Sequence, residues 1–321
     1  MILGIVLLVA GGALLLRGAV ALATLARVTR AVIGLTVVAA GTSVPELAVS
    51  LPAALKGSEA VAVGNIVGSN IFNLTFILGL AALIRPLAIG GNTIRIEYLV
   101  LALVTLLCVV VCRDGRIGRL DGVRFLGIYV AFTAFLVTLV RRQMNEQEVR
   151  EFQVEVDELT RAVPPAGKTA GWASVVLVGV GVLLLVGGAH ATVTGAIDLG
   201  RHWGLSERVI GLTIVAGGTG LPEVVTSLVS SIRGRDDIAI GNVIGSNLFN
   251  ILGTLGISGL VRPVAVPEGI LAGDNYWMLG LTLLLFPVML TGMRIGRREG
   301  ASLLAAYGVY LAVLLGRPEA S

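Results

Sequence analysis

One stretch of this sequence is written twice. Residues 32–80 contain VIGLTVVAAGTSVPELAVS and then GNIVGSNIFNLTFILGL; residues 209–257 contain VIGLTIVAGGTGLPEVVTS and then GNVIGSNLFNILGTLGI. Glu46 matches Glu223, Asn73 matches Asn250, and Arg85-Pro86 matches Arg262-Pro263, each pair 177 residues apart without a gap. The match extends upstream, where Gly4, Gly11 and Gly18 recur as Gly181, Gly188 and Gly195. A duplication of this length constrains the architecture more than any local propensity, because the chain must pack two copies of one unit.

Both copies lie in apolar sequence. Hydrophobic residues make up 55% of the chain and charged residues 14%, against about 25% charged in an ordinary soluble domain. Mean hydropathy is +0.92. Runs long enough to cross a bilayer recur throughout. Ten are expected, at about 2–25, 31–55, 60–83, 93–112, 121–140, 171–199, 208–232, 237–260, 275–293 and 299–316. The first has no basic region before it and reads as a membrane helix, not a cleaved signal peptide. The fold class expected is an all-α polytopic membrane protein whose ten transmembrane helices form two inverted five-helix repeats, 1–140 and 170–321, joined by a linker at 141–169. An odd number of helices per copy inserts the copies in opposite orientations, the plan of secondary transporters.

Lys and Arg set the expected topology. The loops after the odd-numbered spans carry more of them, which makes the 141–169 loop cytoplasmic and puts both termini outside, although the Arg113–Arg124 cluster opposes this. The net charge of +4 is therefore topology, not nucleic-acid affinity. Cys108 and Cys112 have no His or carboxylate neighbours and read as packing. His190 has no counterpart in the first copy, and Arg17 and Asp198 sit near helix ends, so all three read as rim or interface residues.

The duplicated motif places two carboxylates, Glu46 and Glu223, at membrane depth, where an ionisable residue costs at least about 2.5 kcal/mol. Each follows a proline, which breaks the helix and frees carbonyl oxygens, expected near Ala39 and Ala216. Thr42, Ser43 and Thr219 add hydroxyls about one turn earlier. Ser69 and Asn73 share one helical face, as do Ser246 and Asn250, with Asn65 and Asn242 extending the same stripe. Glycines such as Gly64, Gly68 and Gly79, with their counterparts, allow close helix approach. Every ligand offered is oxygen, which suits Ca2+, Na+ or Mg2+ and argues against zinc or copper. Read as structure alone, the glutamates are a protonated buried pair and the amides are interhelical glue.

GTSVPELAVS followed by GNIVGSNIFN, with a second copy, resembles the two α-repeats of the sodium/calcium exchanger family, the calcium:cation antiporters. The resemblance implies a core of four repeat helices across which the first and sixth helices slide. It also implies ion ligands at Glu46, Glu223, Thr42, Thr219, Ser43, Ser69, Ser246 and Asn73 and at the carbonyls of Ala39 and Ala216, with Asn250 at the position matching Asn73. The chain departs from the family twice. Gly220 stands where the second repeat would carry a serine, and Asn250 where well-known exchangers carry an aspartate.

The function expected is a secondary antiporter, not an enzyme, exchanging Ca2+ for Na+ at a midplane site. Its partners are those ions and the lipid bilayer of the cell membrane. It needs no cofactor and acts as a monomer. A proton- or potassium-coupled cation exchanger, a cation channel and an intramembrane enzyme are the alternatives. The channel lacks a repeated filter, and the enzyme lacks a nucleophile–base pair.

Overall fold

The computed structural model describes residues 34–90, 93–143 and 168–316, with isolated positions between 3 and 18. The first expected span and the 141–169 linker lie almost wholly outside the described residues, as does Arg17.

Helices dominate. A π-helical turn over Gly34–Val38 leads into α1 (Ala39–Thr42), followed by α2 (Val44–Leu55) and α3 (Glu59–Ile84). Then come α4 (Ile96–Asp114), α5 (Arg119–Gln143) and α6 (Lys168–His202). The second copy continues with α7 (Glu207–Thr219), α8 (Leu221–Ile232), α9 (Asp236–Val261), α10 (Ile270–Met293) and α11 (Arg297–Gly316). Among the described residues α3, α4, α9, α10 and α11 are long and apolar enough to cross a membrane, and the pair α7–α8, bent by 46°, makes a sixth span if counted as one. The chain is a helical membrane protein.

Burial sorts these helices. Within their most apolar stretches α3 and α9 are 83% and 89% buried, while α4, α10 and α11 are 44%, 28% and 22% buried. The duplicated GN…GSN helices therefore form the centre, and the others turn their apolar faces outward to lipid. Packing at the centre is reciprocal between the copies. A Cβ on Gly68 of α3 would fall 2.5 Å from the Leu212 carbonyl oxygen of α7, and one on Gly245 of α9 would fall still closer to the carbonyl oxygen of Leu35, the residue matching Leu212. Side chains at these two positions would separate the backbones that bring the two copies together.

The local structure repeats as well. π-helical turns occur at Gly34–Val38 and Gly211–Val215, and again at Asn73–Ile77 and Phe249–Leu255. Such turns concentrate at functional sites. Two short antiparallel pairs cross between the copies: β1 (Leu87–Ala88) with β4 (Arg294–Ile295), and β2 (Arg116–Ile117) with β3 (Val264–Ala265).

One buried ion pair lies away from this centre. Arg208 Nε donates to Asp274 Oδ2 at 2.8 Å, with the two side chains 10% and 2% exposed, and Tyr310 Oη approaches Asp274 Oδ1 at 3.5 Å. It joins the start of α7 to α10 and α11. Replacing Arg208 with Met leaves a buried carboxylate without its cation, and we expect a loss of about 3–5 kcal/mol. Thermal unfolding in detergent should show it, and the double replacement Arg208→Met/Asp274→Leu should recover most of the loss. Cys108 and Cys112 are free thiols and both buried, while His190 and Asp198 are exposed on α6.

Candidate ion-binding site

The site begins with two helix breaks. Pro45 and Pro222 have no N–H, so the helical bonds that would run to Gly41 and Gly218 cannot form. The chain turns at Ser43 (φ −86°, ψ 7°) and at Gly220 (φ −76°, ψ 0°), then starts α2 and α8. Glu46 and Glu223 fall in the first turns of these new helices. There the positive end of the helix dipole offsets part of the cost of a buried carboxylate. Both residues are 0% exposed.

The two breaks face each other. Ser43 Oγ, at the first break, donates to Glu223 Oε1 at 2.9 Å. Glu223, Thr219 and Ser69 surround Glu46; Thr42, Ser43 and Ser246 surround Glu223. Seven of the expected ligand residues thus converge on one spot between the copies.

A framework of amides holds the spot in place. Asn65 Nδ2 donates to Ser50 Oγ at 2.9 Å and to the Glu46 carbonyl at 3.3 Å, while its Oδ1 accepts from Thr219 Oγ1 at 3.1 Å. Asn242 repeats the pattern, donating to Ser227 Oγ at 3.0 Å and accepting from Thr42 Oγ1 at 3.2 Å. Each asparagine therefore ties its own copy's Pro-Glu helix to the other copy's threonine. Asn65 and Asn242 were legible as a polar stripe, but not as cross-links. Ser50 and Ser227, one turn beyond the glutamates, carried no motif that singled them out.

Two expectations change. The carbonyls of Ala39 and Ala216 are not left bare by the prolines. Ala39 O accepts from Ser43 N at 3.0 Å and lies 3.3 Å from Thr42 Oγ1 and 3.5 Å from Ser246 Oγ. Ala216 O accepts from Gly220 N at 3.0 Å and lies 3.4 Å from Thr219 Oγ1. The reason is register: proline at position i deprives residue i−4, which is Gly41 or Gly218. Ala39 and Ala216 are therefore partnered carbonyls that lie among the hydroxyls of the site. Secondly, Asn73 turns to the other copy's amide. Its Nδ2 donates to Asn247 Oδ1 at 3.0 Å, and Asn247 Nδ2 donates to the Asn70 carbonyl at 3.2 Å. Asn250 is buried, and neither of its amide atoms has a hydrogen-bond partner among the described residues.

The chemistry lies in what is unpaired. Both carboxylate oxygens of Glu46, Oε2 of Glu223, Ser69 Oγ and Asn73 Oδ1 are buried without a hydrogen-bond partner among the described residues. Buried polar atoms are ordinarily satisfied, and each exception asks for a cause. Three of these exceptions are carboxylate oxygens, and Ser69 Oγ lies beside Glu46. No group of three or more His, Cys, Asp or Glu suited to a metal occurs among the described residues, so the donor set is two carboxylates with neutral oxygens. That set fits a hard cation held without a fixed cage.

Comparison with known proteins agrees in family and fold. The family model described as sodium/calcium exchanger protein matches residues 1–138 and 173–316. CaxA of Alkalimonas amylolytica is 38% identical over 310 residues, covering 95% of this chain and 94% of that protein. The sodium/calcium exchanger MaX1 of Methanosarcina acetivorans is 31% identical over 341 residues, covering 98% and 97%. The structure of the sodium–calcium exchanger NCX_Mj soaked with Na+ and Ca2+ superposes with a TM-score of 0.74 at 29% identity, covering 99% of this chain and 97% of that one.

Proposed function

The chain belongs to the sodium/calcium exchanger protein family, and we propose that it is a membrane antiporter exchanging Ca2+ for Na+ between Glu46 and Glu223. The observation that carries this reading is the pair of fully buried carboxylates with three of four oxygens lacking a donor among the described residues. Two charges of −1 balance one Ca2+, with Ser69, Ser246, Thr42, Thr219, Ser43 and the Ala39 and Ala216 carbonyls completing its oxygen shell. Na+ competes for the same carboxylates. Coupling follows because the bare site carries an uncompensated buried charge, which is costly to carry through an occluded state. Exchange, not leak, is the consequence.

The architecture we assign to this function is ten spans in two inverted five-helix repeats, acting as a monomer in the cell membrane. The 141–169 loop then faces the cytoplasm and both termini face outside. The reciprocal contacts Gly68–Leu212 and Gly245–Leu35 support the two-copy plan. So do the matched hydrogen bonds of Asn65 and Asn242. Asn73 and Asn250 would sit at the edge of the site as neutral groups. The absence of a third carboxylate at Asn250 makes H+ the second candidate counter-ion, since protons compete for the same unpaired oxygens.

Equilibrium binding tests the site apart from transport. Purified protein should bind one Ca2+ per chain, and rising Na+ should displace it competitively. Binding of Ca2+ that Na+ leaves untouched but that falls with acidification would move the assignment to proton coupling.

A further inference from the structure

Each Pro-Glu helix begins at the break beside its glutamate and ends at an arginine from the other copy. Arg85, just past α3, donates from Nη1 to the Ser231 carbonyl in the last turn of α8 at 2.7 Å. Arg262, just past α9, donates from Nη1 to the carbonyl of Leu55, the last residue of α2, also at 2.7 Å. The final carbonyls of a helix have no partner within it, and a guanidinium both satisfies one and complements the negative end of the dipole. The arginines therefore hold the far ends of the two helices whose near ends carry Glu223 and Glu46.

The two holds are unequal. Arg85 also pairs with Asp236 Oδ1 at 3.2 Å, and Asp236 Oδ2 is fixed by the Ala88 N–H at 2.9 Å. Its guanidinium lies on the turn at Gly234 (φ +74°), where a Cβ would fall 3.1 Å from Nη1. At the other end the matching Gly57 has φ +84°, but nothing lies within 4 Å of the place its Cβ would occupy. Glu59 stands where Asp236 would be, and it forms no ion pair with Arg262 among the described residues. Arg262 holds α2 through one carbonyl.

The faces these arginines close over are hydroxylated. Thr226, Ser230 and Ser231 of α8 replace Val49, Ala53 and Ala54 of α2, and Ser231 Oγ is buried beside the Arg85 contact without a partner among the described residues. Toward Arg262, Thr254 and Ser258 of α9 are buried and their hydroxyls are likewise unpartnered among the described residues. Unpaired hydroxyls are costly while enclosed and are satisfied when a helix end swings away and water enters. We infer that Arg85 and Arg262 are latches at the two ends of the ion path, and that Asp236, by reinforcing only Arg85, makes that end the harder to open. The inference rests on the antiporter reading above for its purpose, but its physical content is a difference in how firmly two helices are held.

Hydrogen–deuterium exchange on the full chain in lipid nanodiscs tests it without requiring transport. An ion pair as exposed as Arg85–Asp236 is worth at most about fivefold in an opening equilibrium. Asp236→Asn should therefore raise exchange in residues 221–232 about three- to fivefold and leave 44–55 unchanged; Arg262→Ala should do the reverse. In oriented proteoliposomes the same two variants should shift the ratio of apparent Ca2+ affinities at the two membrane faces in opposite directions. Equal loosening of both helices in Asp236→Asn, or an unmoved exchange rate in 221–232, overturns the latch. Absence of Na+-driven Ca2+ movement in the unmodified protein would instead overturn the antiporter reading, with the unequal helix ends still decided by exchange.

Discussion

Glu46→Gln and Glu223→Gln should each abolish Na+-driven Ca2+ transport while leaving the protein folded. The size of the effect follows from Coulomb's law. A divalent ion about 4 Å from a unit charge gains about 8 kcal/mol at an effective dielectric constant of 20, and a third of that is already about 100-fold in affinity. Stability should move the other way. Each variant removes one of two buried like charges that face each other across the breaks at Ser43 and Gly220. Melting of the ion-free variants should therefore occur at the same temperature as the parent or higher. Loss of transport together with loss of the fold would mean that the glutamates are structural after all; retained exchange in Glu46→Gln would remove them from the mechanism.

The second large effect is expected at two residues that touch no ion in our reading. Asn65→Ala breaks bonds to Ser50, to the Glu46 carbonyl and to Thr219, all buried. A buried group left without its partner costs about 1–3 kcal/mol, so the losses at Glu46 and Thr219 together weaken Ca2+ binding by about 100-fold through misplacement of those two residues. Asn242→Ala should act alike through Ser227 and Thr42. Ca2+ titration of both variants checks this. Closely matched losses are the result expected of two equivalent cross-links, and an effect confined to one of them would show that only one copy's framework carries the site.

The sequence made the duplication legible because membrane helices tolerate polar residues only for cause, so a repeated carboxylate, hydroxyl and amide stood out against an apolar background. Glu46, Glu223, Thr42, Thr219, Ser43, Ser69 and Ser246 could be named from their spacing and resemblance, and the structure gathers them. What spacing could not supply was the partner across the copies. Asn65 reads as one more member of a stripe until α3 is packed on α7, when its amide reaches Thr219 of the other copy. Asn247 is the third residue of the GSN motif and carried no separate signal, yet it takes the hydrogen bond from Asn73. That the Ala39 and Ala216 carbonyls are partnered was hidden for a different reason. A proline frees a carbonyl at a fixed register, but the turn that follows at Ser43 and Gly220 re-engages Ala39 and Ala216. The π-helical turns at Asn73–Ile77 and Phe249–Leu255 were equally hidden, because they arise from helix packing and not from local propensity.

The departures from the family motif now have a physical setting. Gly220 sits at the second break, where a Cβ would meet the Phe72 ring at 3.2 Å and the Ala216 carbonyl at 3.1 Å. The first break uses Ser43 to bond Glu223, whereas the second offers Glu46 no hydroxyl from the same position. Glu46 accordingly keeps both oxygens unpartnered among the described residues and Glu223 keeps one, so the two carboxylates are not equivalent.

The most direct test is Ca2+ uptake into proteoliposomes loaded with Na+ and diluted into Na+-free buffer at constant pH, against vesicles loaded with K+. Uptake that requires internal Na+, and that disappears in Glu46→Gln, is the result predicted here. Uptake that ignores Na+ and follows an imposed pH gradient would contradict Na+/Ca2+ exchange and make the paired glutamates carriers of protons.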